Sequence, residues 1–322
     1  MRVCTSLSSS DCERCRVLTV IGDTQIGRAL VQTRFVLLPT LDSTTRVPTT
    51  ELHNTGAIGE CIVTAAHILG HEGAGTVTAV GASVTHLRPG DRVAIEPGVP
   101  CRRCALCTQG RYNLCRAVRF TGAPPYDGSI RRWHVHDAHF LHRLPDALSL
   151  AEGALLEPLS VVLHAFERSP ARLGHPVLVC GAGPIGLITL AVARASGAFP
   201  IVITDVDARR LDFAQKFSPG CSVYQVIPSK SSEEAAQEIS RLFEAELGSE
   251  MPPVVYECTG VPSSIVTAAF AAARGGEVMV VGVGRPIIDG LPFMHLSMSE
   301  VRPWIRNPTC EMYAYSWGGR TD

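Results

Sequence analysis

Apolar and polar positions divide the chain into three textures. Residues 1–54 hold no sustained period and are broken by Ser/Thr clusters, Ser6 to Ser10 and Thr44 to Thr50, so they read as a poorly ordered arm. From Ile68 to Pro97 short β-rich pieces separated by glycine take over, among them Gly75 to Val80 and Asp91 to Ile95, and similar pieces continue to Leu144. Strands this short and this closely spaced predict a small barrel-like β domain. Beyond Leu150, apolar runs alternate with helical periodicity: Val177–Cys180, Ile201–Thr204, Val254–Glu257 and Glu277–Val283 read as strands, and Ile185–Ala195, Glu233–Leu247 and Ser263–Ala273 as helices. That alternation predicts an α/β fold with a doubly wound parallel sheet. It stops at Arg302.

The turn Gly181-Ala182-Gly183-Pro184-Ile185-Gly186 follows the strand at 177–180 directly and opens a helix. Gly181 permits the tight turn, Gly183 lets backbone amides approach a pyrophosphate, and Gly186 lets helix and strand pack closely. The helix N-terminus, begun by Pro184 and Ile185, offers partial positive charge to the phosphates. The next strand ends in Asp205, 22 residues after Gly183, where a carboxylate accepts from ribose hydroxyls. The same carboxylate repels a 2′-phosphate and favours NAD over NADP. Arg209 and Arg210, just downstream, are the residues that could pair with such a phosphate instead.

Cys101-x2-Cys104-x2-Cys107-x7-Cys115 sets four thiolates within fifteen residues, enough for a closed tetrahedral zinc site that holds a loop lacking apolar packing. Cys12-x2-Cys15 is a much weaker pair. Of the 12 cysteines, these closely spaced ones suit a metal better than bridges. Met1 to Arg16 is polar and carries Asp11 and Glu13, unlike a signal peptide, and the apolar stretch Val17 to Ile21 is far too short to span a membrane. A reducing, cytoplasmic setting follows. The net charge of −1 gives no long-range field for nucleic acid or anionic lipid, and the cysteine loop has no basic or aromatic stripe beside it.

Gly70-His71-Glu72 lies ahead of that loop, and Glu157-Pro158 lies where the β texture gives way to α/β. With Gly90 to Val93, Gly110 to Cys115, Thr121 to Gly128 (TGAPPYDG), Glu152 to Pro158 and Glu257-Cys258-Thr259-Gly260, they make an order that resembles the zinc-dependent medium-chain dehydrogenases, and within them the sorbitol, xylitol and L-arabinitol dehydrogenase group. The resemblance runs from about Thr55 to Val301. It implies a GroES-like β-barrel catalytic domain over 55–160, a Rossmann NAD-binding domain over 161–301, and oxidation of a sugar alcohol to a ketose in the cleft between them. Zinc would act as a Lewis acid on the substrate hydroxyl, and hydride would pass to the nicotinamide. Carried over by position, His71 and Glu72 would be zinc ligands and Glu157 would contact the metal or its water. Thr259 and the backbone from Val281 to Val283 would line the nicotinamide side. The Tyr126 segment resembles the polyol-type loop, and Leu291 to Glu300 would help pair subunits in a homo-oligomer.

Two departures stand against the resemblance. The family's Cys-Gly-Ser-Asp-type motif supplies the first catalytic zinc ligand, and by spacing from Thr55-Gly56 it falls at Thr45 to Leu52, which holds no cysteine. Cys61 is the nearest thiol along the chain. Loss of a thiolate predicts weaker zinc binding and inefficient turnover. From Arg302-Pro303-Trp304 the text leaves the family's pattern, so 302–322 reads as a non-family tail and both domains as incomplete, with the nucleotide sheet short of its edge strand. A second function, from another class, is a non-catalytic NAD-binding or subunit-pairing protein. A zinc-independent quinone-type reductase fits least, because such proteins lack both the cysteine loop and the His-Glu pair.

Overall fold

The computed structural model describes residues 28–34, 57–58, 61–247, 251–285 and 287–305. Its first half is built on β1 (Arg28–Arg34), β2 (Ala57–Ile58), β3 (Cys61–Ile62), β4 (Gly73–Val80), β5 (Arg92–Ile95), β6 (Gly98–Val99), β7 (Arg119–Phe120), β8 (Trp133–Asp137) and β9 (Leu141–Arg143). Five of these form an antiparallel sheet in the order β8-β1-β4-β5-β9, while β2-β3 and β6-β7 are small ribbons. Side chains alternate across the pleat, so Ala29, Val31, Val77, Val93, Ile95 and Leu141 fall on one buried face. Strands β1 and β4 approach so closely that a Cβ on Gly75 would stand 2.4 Å from the Gln32 carbonyl oxygen.

The expected arm over 1–54 is corrected here. Arg28–Arg34 is a full strand lying between β8 and β4, with Ala29 facing Val80 on one side and His136 on the other. Its period-two pattern is real, with Ala29, Val31 and Thr33 buried and Gln32 exposed, but seven residues are too few to stand out between unpatterned neighbours. Residues 45–52, where the missing cysteine motif falls, lie outside the described residues, as does the side chain of Cys61.

The second half carries β10 (Val177–Cys180), β11 (Ile201–Asp205), β12 (Ser222–Gln225), β13 (Val254–Glu257), β14 (Glu277–Val280) and β15 (Arg302–Ile305) in one parallel sheet, ordered β12-β11-β10-β13-β14-β15. The first five strands lie where the alternation put them, save that β12 was not anticipated. The sixth overturns the expectation of a missing edge. Arg302–Ile305 pairs in parallel with Glu277–Val280, and Arg302 also forms an ion pair with Glu277 at 2.8 Å. Arg302 donates its N–H to the Gly276 carbonyl, so Pro303 next in line turns its missing donor away from the ladder, as an edge strand allows.

Seven α-helices are described: α1 (Ala105–Thr108), α2 (Leu150–Arg168), α3 (Pro184–Ala195), α4 (Ala208–Phe217), α5 (Ser232–Leu247), α6 (Pro262–Ala271) and α7 (Phe293–Ser299). Helix α2 joins the two halves. It opens on a capping box in which Ser149 and Glu152 satisfy each other's backbone N–H groups. Ala154 packs on Ala74, Ala94 and Leu144 of the barrel, while Ala165 belongs to the core under β10 and β11. The boundary expected at residue 160 therefore falls inside one continuous helix. Pro158 within it hid the helix from sequence, since proline removes an interior hydrogen bond. No helix among the described residues is long and apolar enough to cross a membrane.

Candidate active site

The four-cysteine loop wraps one turn of helix. Cys104 sits at the N-terminus of α1, and a short 3-10 turn, Tyr112–Leu114, delivers Cys115. The sulfur atoms of Cys104 and Cys107 are 3.4 Å apart, and those of Cys101 and Cys107, and of Cys104 and Cys115, 3.9 Å. A tetrahedral zinc with Zn–S bonds of about 2.3 Å needs its sulfurs roughly 3.8 Å apart, so the donor set fits that ion. The Arg103 and Cys104 amides pull the Cys101 thiol down to about 6, while burial pushes Cys107 up to about 12. Sulfurs this crowded hold four negative charges only around a cation. The cysteines whose side chains are described are all free of disulfides.

Tyr112 and Arg102 dock this loop on the barrel, and neither contact was legible in the sequence. The Tyr112 hydroxyl donates to Glu96 Oε1 at 2.7 Å, and His142 Nε2 lies 2.9 Å from Glu96 Oε2. Arg102 pairs with Asp137 at 2.7 Å and lies over the Phe140 ring. A buried acid just after the apolar run Val93–Ile95 was the only available signal for Glu96.

His71, Glu72 and Glu157 come together although 85 residues separate the last two in sequence (157 minus 72), and their ligand atoms all lie within 4.8 Å of one another. The first two immediately precede β4, and Glu157 projects from α2. The segment leading to His71 is clasped by the Thr121–Gly128 loop. Gly128, Ser129 and Ile130 donate their N–H groups to the carbonyls of Ile68, Gly70 and Leu69, and Asp127 accepts from the Ile68 N–H. Backbone packs on backbone there: a Cβ on Gly128 would stand 2.1 Å from the Leu69 oxygen. Burial lowers the His71 pKa to about 4, so its ring is neutral and keeps a lone pair for a metal. Burial also pushes the Glu72 carboxyl up. Two carboxyl groups and a neutral imidazole at this spacing suit a divalent cation such as zinc. The side chain of Phe120 closes one side of His71, with ring centroids 5.4 Å apart.

At the end of β10, Gly181 takes φ +100, which only glycine adopts without strain. Gly183 caps α3, Pro184 is its first residue, and Gly186 sits against the turn: a Cβ there would fall 1.7 Å from the Gly181 oxygen. Nothing lies within 4 Å of a Cβ built on Gly183. Asp205 ends β11 and braces this turn. Its Oδ2 accepts from the Ala182 N–H at 2.8 Å and its Oδ1 from Asp207 N–H at 2.9 Å. Across β10, Thr259 touches Gly181, and Gly282 and Gly284 press on the backbone of Gly260, so Thr259, Val281 and Val283 share one patch beside the turn.

An antiparallel barrel sheet with a four-cysteine loop is thus joined through one helix to a six-stranded parallel sheet. Residues 25–146 match the alcohol dehydrogenase GroES-like domain and residues 184–303 the zinc-binding dehydrogenase domain. The first match begins before β1, well ahead of the boundary drawn at 55. L-arabinitol 4-dehydrogenase of Aspergillus oryzae is 52% identical over 250 residues, covering 76% of this chain and 65% of that protein. Sorbitol dehydrogenase of Homo sapiens is 47% identical over 246 residues, covering 76% of this chain and 67% of its own length. Among solved structures, an oxidoreductase/dehydrogenase of unknown specificity involved in membrane biogenesis from Escherichia coli superposes with a TM-score of 0.74 at 29% identity, over 89% of this chain and 78% of that one. The chain belongs to the zinc-dependent medium-chain dehydrogenase family, in its polyol dehydrogenase group. It spans 65% and 64% of the length of the Aspergillus L-arabinitol dehydrogenases it matches.

Proposed function

We propose that this chain oxidises a sugar alcohol of the sorbitol, xylitol or L-arabinitol type to a ketose, with NAD as hydride acceptor. The observation that carries the reading is the convergence of His71, Glu72 and Glu157 at the helix that joins barrel to nucleotide sheet. Bound at that cluster, zinc would supply Lewis acidity toward a substrate hydroxyl. The chain's own groups do the rest. His71 offers a neutral nitrogen, Glu72 and Glu157 offer carboxylate oxygens, and the clasped Thr121–Gly128 loop fixes where His71 stands. The cysteine loop, closed by its four sulfurs, has no open position and serves structure alone.

NAD is favoured by Asp205, whose carboxylate meets a 2′-phosphate with like charge. Arg209 is paired with Asp207 at 2.9 Å and Arg210 lies 3.8 Å from Asp205, so both arginines already face acids. Subunit pairing is supported by Phe293, Met294 and Met298, all exposed on α7 near β15, the last strand of the sheet among the described residues. Cysteine usage supports a reducing, cytoplasmic setting. Among the described residues the cluster offers nitrogen and oxygen ligands, residues 45–52 hold no cysteine, and turnover is expected to fall below that of relatives that carry one.

The test is NADH formation with added zinc on sorbitol, xylitol, L-arabinitol and, as a control, ethanol. At least one polyol should be oxidised in preference to ethanol. Oxidation of ethanol alone, or of none of the four while NAD still binds, would remove the polyol reading and leave the non-catalytic NAD-binding alternative.

A further inference from the structure

The parallel sheet reverses its winding between β10 and β13. Asp205 ends β11 on one side of that switch, while β13 and β14 lie on the other. A dinucleotide laid across the crevice with its pyrophosphate at Gly183 therefore puts its adenosine half over β11 and its nicotinamide half over β13 and β14. On this second side a buried carboxylate organises the turn after β13, against which the turn after β14 packs. Glu257, the last residue of β13, has no exposed surface.

Its carboxylate accepts four hydrogen bonds. Oε1 takes the Thr259 N–H at 3.0 Å, the Ser264 hydroxyl at 2.8 Å and the Thr259 hydroxyl, and Oε2 takes the Gly260 N–H at 2.9 Å. Its carbonyl oxygen accepts two more, from the N–H groups of Val281 and Gly282 at 2.8 and 2.9 Å. One residue thus ties the turn after β13 to the turn after β14. The two turns interlock so tightly that a Cβ on Gly284 would fall 1.8 Å from the Gly260 oxygen. All four donors to the carboxylate are neutral, and burial pushes the carboxyl up while they pull it back down. A carboxylate is costly to bury, and what it supplies here that an amide would not is an acceptor at both oxygens.

We propose that Glu257 is a positioning residue for the nicotinamide half of the cofactor: its carboxylate holds Thr259 and Gly260, and through the packing of Gly282 and Gly284 on that turn it sets where Val281 and Val283 stand. The inference rests on the dinucleotide reading above. Glu257 stays beneath the surface and acts only through the turns. In the Glu257→Gln variant the amide group turns a donor toward the N–H and hydroxyl donors of Thr259, Gly260 and Ser264, and the turn must shift. The adenosine side, built on Gly183 and Asp205, shares none of these bonds.

NADH and ADP-ribose, which lacks the nicotinamide, separate the roles when each is titrated calorimetrically into the whole zinc-supplemented chain. Glu257→Gln should weaken NADH by about tenfold, the equivalent of one hydrogen bond to a charged group, with ADP-ribose held within about twofold. Ser264→Ala, which removes one donor and leaves the carboxylate, should weaken NADH in the same direction by a smaller factor. Equal loss of both ligands would mean a merely structural role and overturn the proposal, as would unchanged NADH affinity in Glu257→Gln. Equal affinity of the wild-type chain for NADH and ADP-ribose would overturn it too. Failure of the wild-type chain to bind either ligand would sink the dinucleotide reading itself, and this inference with it.

Discussion

Replacing Gly183 by alanine should weaken dinucleotide binding by about 10- to 100-fold and leave the fold intact, whereas the same change at Gly186 should damage the fold. The two glycines lie three residues apart and carry different loads. A Cβ on Gly183 meets nothing within 4 Å, and its extended φ of −78° suits alanine, so the folded chain accepts the methyl without strain. The pyrophosphate does not, because it must come within hydrogen-bond reach of that backbone; an intruding methyl costs roughly 1–3 kcal/mol. A Cβ on Gly186 would sit 1.7 Å from the Gly181 carbonyl oxygen, which is backbone and cannot swing aside. Helix α3 would have to back away from β10, at a cost of about 3 kcal/mol or more and a melting midpoint lower by roughly 10 °C. Thermal melts with and without NADH distinguish the two. A Gly183→Ala chain that melts early, or binds NADH as tightly as wild type, would contradict the assignment of these roles.

The second large effect concerns the cysteine loop. Cys104→Ser should lower the zinc content by about one ion per chain and expose the segment between Arg102 and Arg119 to trypsin. That loop buries only Asn113 and Cys115 among residues 101–119, so little apolar packing holds it once the metal leaves. The Glu96–Tyr112 and Arg102–Asp137 contacts tie its ends but not its middle. Cleavage tracks the open population, and a loss of only 1.4 kcal/mol in local stability speeds it about tenfold. The loop offers Arg102, Arg103, Arg111, Arg116 and Arg119 as cleavage points. Zinc content equal to wild type, or trypsin resistance unchanged after the metal is lost, would mean that the four sulfurs do not hold the loop through a metal.

Most of this architecture was legible because its signals are local. Val177–Cys180, Val254–Glu257 and the turn from Gly181 to Gly186 declare themselves by composition over four to six residues, and the structure places them as read. The four cysteines did the same through spacing. The errors share a cause: they depend on partners far along the chain. β1 is a strand because β4 and β8 flank it, and β15 is one because β14 presents an open edge to Arg302. Helix α2 survives its internal Pro158 because its two ends pack on different cores. His71, Glu72 and Glu157 were named from family resemblance, since neither a His-Glu pair nor a lone Glu-Pro signals a site. Glu257 was read only as part of a family motif, because a single acid closing an apolar strand looks the same whether it faces solvent or, as here, braces a turn from beneath.

In the proposed function, zinc held at His71, Glu72 and Glu157 makes this chain a polyol dehydrogenase. The most direct test is the rate of NADH formation from sorbitol, xylitol or L-arabinitol as zinc is titrated into wild-type and His71→Ala chains. Wild-type activity should rise as zinc is added, reflecting a weakly held second ion, and His71→Ala should lose at least about 100-fold in kcat/KM, the several kcal/mol that a Lewis acid supplies. Both chains should keep the zinc of the cysteine loop. Activity that ignores added zinc and survives His71→Ala would mean that this cluster does not carry the reaction.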